Sequence, residues 1–103
     1  MARIHLIERD GRLTPVQRGS MEYESGFWAV SDDTAKMLVG GDILFHKTQT
    51  TPAFFGGQIT GYRVQPNGEW QGRIVFKFCA DPERLRGVRA GREGWGMEKK
   101  IVL

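Results

Sequence analysis

The chain has 103 residues, 40% hydrophobic and 26% charged, with a formal net charge of +3 and a pI of about 9.4. That length builds one core and not two, and the composition is that of a folded domain rather than a disordered chain. No apolar run approaches the roughly 18 residues of a membrane-spanning helix, and the single cysteine, Cys79, excludes an internal disulfide framework and a cysteine-based zinc site.

From these counts we expect one domain over residues 1–103, with no metal, no cofactor and no membrane partner. A reducing, cytoplasmic compartment suits the lone thiol. The opening Met-Ala-Arg-Ile-His, followed by Glu8, Arg9 and Asp10, is too short in apolar residues to read as a secretory leader.

In chain order, residues 2–8 alternate as a strand and end at Asp10-Gly11, a turn signal. Residues 14–26 are polar and glycine-bearing, a connection with room for a short strand at 21–24. The apolar run 27–30 predicts a central strand. Ser31 or Asp32 then caps a short helix whose Ala35, Leu38 and Val39 share one face, and Gly40-Gly41 ends it. Residues 42–47 predict a strand, 47–52 a threonine-rich loop, and 58–64 another strand. The preceding Gly56-Gly57 suggests a bulge or a close backbone approach.

Pro66-Asn67-Gly68 makes a hairpin turn. Residues 70–79 then give the cleanest alternation, with Ile74, Phe76 and Phe78 on one face and Val75, Lys77 and Cys79 on the other. Asp81-Pro82 starts a short helix and residues 99–103 form a last strand. Short strands punctuated by 14 glycines predict a mainly β, α+β domain, a small pseudo-barrel of about five or six strands with one or two short helices.

Catalytic templates are missing. There is no Gly-x-Ser-x-Gly elbow, no phosphate-binding loop and no dinucleotide fingerprint. Cys79 reads as a small buried hydrophobe, His5 and His46 as satisfied structural histidines, and Asp32-Asp33 as helix-capping charges. The chain is expected to be a binder before it is an enzyme.

Two features point to a ligand. Four arginines, Arg84, Arg86, Arg89 and Arg92, fall in nine residues without an acid, either a solvated arginine-rich loop or an anion-binding patch for nucleic-acid phosphates. The three tryptophans include Trp95, flanked by Gly94 and Gly96 and close to the arginines, where it can stack on a base or lid one end of the barrel. Phe54 and Phe55 pose the same choice.

The run Phe27-Trp28-Ala29-Val30-Ser31, the short helix, Gly41-Asp42-Ile43-Leu44-Phe45-His46-Lys47 and Gly56-Gly57-Gln58-Ile59-Thr60-Gly61-Tyr62-Arg63-Val64 together resemble the PUA-like superfamily. Its EVE-type domains are nearest in pattern and the ASCH-type domains more distant. The likeness runs from Phe27 to Cys79. It departs at Val30, where EVE-type strands often carry Lys, at Asp32-Asp33 in place of an acidic-Pro step, and over residues 1–26, which have no counterpart.

The resemblance implies a pocket at one end of the barrel for a flipped, often modified, base. Trp28 and Ser31 would line it, and Lys47, Thr48, Phe54 and Phe55 would form the rim. ASCH-type relatives include amidohydrolases of acylated nucleosides with a Lys, Thr and Glu set. That pattern is missing here, although Lys47, Thr48 and Glu98 supply the residue types.

Three readings follow. The first is a module that binds RNA or DNA and reads a modified or flipped base. The second is a small hydrolase of a modified nucleoside. The third is a protein-interaction or homodimer module in which Trp95 and the two phenylalanines share one flat surface.

Overall fold

The computed structural model describes residues 2–9, 13–16 and 19–103, so the Asp10-Gly11 turn lies outside the described residues. Ten elements follow in order: β1 (Arg3–Ile7), β2 (Leu13–Pro15), β3 (Glu22–Trp28), α1 (Asp32–Leu38), β4 (Asp42–His46), β5 (Phe55–Val64), β6 (Ile74–Ala80), α2 (Pro82–Leu85), β7 (Trp95–Gly96) and β8 (Lys99–Val102). The eight strands make one mixed sheet in the order β2-β3-β6-β5-β4-β1-β8-β7. Only β1 and β4 run parallel, with Ile7 opposite His46; every other pairing is antiparallel.

The molecule is thus a small, mainly β, α+β fold. It has more strands than the five or six expected. The expected strands at 21–24 and 27–30 are one strand, β3, which shifts register against β6 between Ser25 and Trp28. The unanticipated ones are β2, which carries a proline, and β7, two residues between glycines.

The sheet curls. Three strands separate β1 from β3 in the hydrogen-bonded order, yet Ile4 and Leu6 of β1 and Trp28 of β3 belong to one core with Phe45, Phe76 and Phe78. Ala35 and Leu38 of α1 complete that core. Alternation explains the inner face, because a strand sends every second side chain to the same side. It fails on β4, where all five residues are buried, because the outer face is covered too: Leu44 packs there with Ala53 and Leu85, and Val88 lies against them.

The helix caps behave unequally. Ser31 Oγ accepts the Thr34 amide at 3.2 Å and starts α1 as its N-cap. Asp81 makes no side-chain cap for α2 and instead accepts Arg84 Nε at 2.8 Å. The paired glycines of β5 do mark a close approach. A Cβ on Gly57 would lie 2.1 Å from the Cys79 carbonyl oxygen, closer than any packed side chain sits. The register shift falls further along, between Ile59 and Gly61. Cys79 corrects an expectation: it is exposed, because the outward face of β6, covered at Val75, is open by Cys79.

Candidate functional site

The curl leaves a cavity of about 480 Å³ at one end of the sheet. Four segments wall it: residues 7–9 after β1, residues 26–29 at the end of β3, Trp70 and Arg73 before β6, and residues 96–99 in the β7–β8 turn. Each arrives there because a strand ends there.

The aromatic side is well defined. The Phe27 and Trp70 rings are parallel within 2°, with centroids 5.9 Å apart, and the Arg73 guanidinium lies 5.7 Å from the Trp70 ring. Trp28 is buried, and its indole N–H donates to Ser25 Oγ at 3.0 Å, which fixes the ring as cavity wall. The polar side carries Glu8, buried at 4% exposure, and an Arg9–Glu98 ion pair at 3.1 Å that ties β1 to the β7–β8 turn. Lys99 also lines the cavity. Flat rings on one side and both signs of charge on the other suit a planar ligand with hydrogen-bonding edges.

Of the expected pocket residues, Trp28 lies at this cavity and the others lie elsewhere. Ser31 is the α1 cap. Lys47 Nζ rests 4.5 Å over the Phe54 ring. Thr48 closes a threonine turn, its amide donating to Thr51 Oγ1 at 3.0 Å. Phe55 packs against Tyr23, Phe45 and Phe78. Trp95 donates to the Gly91 carbonyl at 3.0 Å and covers the two histidines, 6.3 Å from His5 and 5.9 Å from His46.

The arginine cluster divides. Arg84 is held by Asp42 in a two-pronged pair at 2.8 and 3.1 Å and by Asp81. Asp42 is buried, and the Arg84 hydrogen bonds hold its carboxyl below the usual aspartate range against the opposing effect of burial. Arg86 is exposed. Arg89 and Arg92 line a second cavity of about 280 Å³ with residues 49–51, where Arg89 donates to the Thr50 carbonyl at 3.1 Å.

The two cavities are neighbours. Gln49 lines the second, and its side-chain amide donates to the carbonyl of Met97, which lines the first, at 2.9 Å. The β7–β8 turn therefore separates the aromatic cavity, which holds Arg9 and Arg73, from the pocket of Arg89 and Arg92.

Sequence reasoning missed Phe27, Trp70 and Arg73 as a unit. The signal available was two aromatics and an arginine at strand ends, but nothing local says that those ends meet. Among the described residues no three of His, Cys, Asp and Glu gather as a metal set, and no helix is long and apolar enough to cross a membrane. In comparison with known proteins, the chain matches no family model, no curated protein and no solved structure.

Proposed function

We propose that this domain binds nucleic acid by taking one unstacked base, plain or modified, into the 480 Å³ cavity, as the PUA-like resemblance of its sequence implies. The observation that carries the reading is the Phe27–Trp70–Arg73 stack beside the buried Trp28, facing Glu8 and Lys99. Every base has a π-face, and stacking one on an aromatic side chain is worth about 1–3 kcal/mol. Carboxylate and ammonium groups opposite the rings can meet the donors and acceptors of a base edge. Arg89 and Arg92, which line the neighbouring cavity, would meet the adjacent phosphates.

The test is a tryptophan-fluorescence titration with short DNA and RNA oligonucleotides, with and without base modifications, at two salt concentrations. Saturable quenching that weakens with salt, and that Trp70→Ala or Arg73→Ala removes without unfolding, is expected. A well-folded protein whose fluorescence no oligonucleotide changes refutes the reading.

One observation favours a second reading, hydrolysis of an acylated nucleoside: Lys99, Glu8 and Glu98 line the same cavity. Lys47, the lysine that the sequence offers for that role, lies outside it. Release of free nucleoside from acylated nucleosides, lost in Lys99→Ala, would establish it. The interaction-module reading wanted Trp95, Phe54 and Phe55 on one flat surface; all three are partly buried, Phe54 and Phe55 against the main core and Trp95 over the two histidines.

A further inference from the structure

We propose that Met97 is a wedge, an apolar side chain that enters a double helix and occupies the gap left when one base moves into the cavity. The inference rests on the base-binding reading and names its partner as a duplex.

Met97 sits in the turn between β7 and β8 and is 89% exposed, the most exposed large hydrophobic side chain among the described residues. It is also the one non-glycine residue among them with positive φ, at 56°. Both local preferences are broken at once. The backbone conformation favours glycine, and the exposure favours a polar side chain. A single exposed apolar residue is ordinary on a protein surface. An exposed one held in a disfavoured conformation at the rim of a base-sized cavity calls for a reason, and such departures concentrate at functional sites.

The turn is braced as a wedge must be. Gln49 donates to the Met97 carbonyl at 2.9 Å from one side. From the other, the Ile7 amide donates to the Glu98 carbonyl at 2.9 Å and Arg9 pairs with the Glu98 side chain at 3.1 Å. Lys100 of β8 reaches the Ala90 carbonyl and ties the hairpin to the arginine loop. The backbone is thus tethered on both sides of the Met97 side chain, which projects freely.

Position supplies the rest. The turn places Met97 between a cavity that fits a base and a pocket lined by Arg89 and Arg92. A methionine inserted between base steps unstacks them and kinks the duplex, and its flexible thioether adapts to either neighbouring base. The extruded base would enter the cavity on one side of the turn while the flanking phosphates meet the arginines on the other.

The experiment measures binding of wild type, Met97→Ala and Met97→Gly to fluorescein-labelled oligonucleotides carrying 2-aminopurine, whose emission rises when it unstacks. Three ligands are used: a fully paired duplex, the same duplex with an abasic site opposite the 2-aminopurine, and the single strand, each as DNA and as RNA. We expect both variants to bind the paired duplex roughly tenfold more weakly with a smaller 2-aminopurine rise. The abasic duplex and the single strand, which need no wedge, should bind within about twofold of wild type. The better of the DNA and RNA duplexes identifies the partner.

Met97→Gly suits the positive φ, so a loss shared by both variants is not a folding defect. An equal loss on all three ligands would overturn the wedge and make Met97 a plain wall of the cavity. Unchanged duplex binding in both variants, with Trp70→Ala still defective, would overturn the wedge and leave the base-binding reading standing. Failure of wild type to bind any of the three would refute both.

Discussion

His5 Nδ1 and His46 Nε2 lie 2.9 Å apart in the interior, and His46 Nδ1 lies 2.9 Å from the Thr51 carbonyl oxygen. A carbonyl only accepts, so His46 carries its proton on Nδ1 and offers Nε2 as acceptor to the His5 Nδ1–H. The chain of bonds needs the His46 ring neutral, since its Nε2 accepts, and it cannot form with both rings charged. Burial, then the neighbouring charge of His46, Arg3 and Lys100, hold His5 down at about 4; burial also lowers His46, partly offset by the Thr51 carbonyl.

Stability should therefore depend on acid. In the unfolded chain His5 titrates near 6.5, so between pH 6.5 and 4 the unfolded state binds the extra proton and unfolding becomes easier as pH falls. The shift corresponds to about 3 kcal/mol lost across that window. Urea melts at pH 7, 5.5 and 4.5 would show it, and His5→Gln should flatten the slope. Stability that stays level across that range, or a His5 NMR titration near 6.5, would rule it out.

Gly57 admits no side chain. Its absent Cβ would meet the Cys79 carbonyl at 2.1 Å, and backbone in the middle of a sheet cannot step aside as a flexible side chain would. Gly57→Ala should lower stability by about 3 kcal/mol or more, whereas Gly61→Ala, with open space around the new methyl group, should change it by under about 1 kcal/mol. Equal thermal melts for the two variants would contradict this.

The arginines should separate by experiment as they do in space. Arg84→Ala removes both prongs from buried Asp42, leaving it the longer Arg3 contact at 3.4 Å, and should cost about 2 kcal/mol of stability. Arg89→Ala and Arg92→Ala should melt nearly as wild type. If they meet phosphates, each should reduce the slope of log affinity against log salt by about 0.9 on duplex. A salt slope that only Arg84→Ala alters would reverse the assignment.

Ser31 and Trp70 make a complementary pair. Ser31→Ala loses the α1 cap and should destabilise by about 1 kcal/mol while leaving ligand binding intact. Trp70→Ala should do the opposite, keeping most of the stability and losing the stacked platform. Chemical denaturation and fluorescence titration of the same two proteins distinguish them.

What could be read from the residues was what depends on near neighbours. The Phe76 and Phe78 face of β6, the Ser31 cap and the stop at Gly40-Gly41 rest on contacts that local pattern anticipates, while Gly57 and the histidines showed their character in the residues but not their distant partners. The cavity does not. Phe27 and Trp70 are 43 positions apart (70 − 27), and they stack because β3 and β6 are adjacent antiparallel strands whose ends coincide. Trp95 could be read from its flanking glycines as a base platform or as a lid, and its partners His5 and His46 come from distant strands. Arg84 looked like its three neighbours, and only tertiary structure brings buried Asp42 to it. Cys79 had the alternation of an outward residue and the character of an inward one; the outward face, open by Cys79, decided the matter.

The four walls of the cavity come from residues near 8, 28, 71 and 98, which span almost the whole chain. No fragment contains the cavity. It exists when these distant segments are brought together by folding, so occupancy and folding are linked. A molecule that fits should raise the melting temperature in proportion to the logarithm of its concentration. A thermal-shift screen would then find the ligand whatever its chemical class.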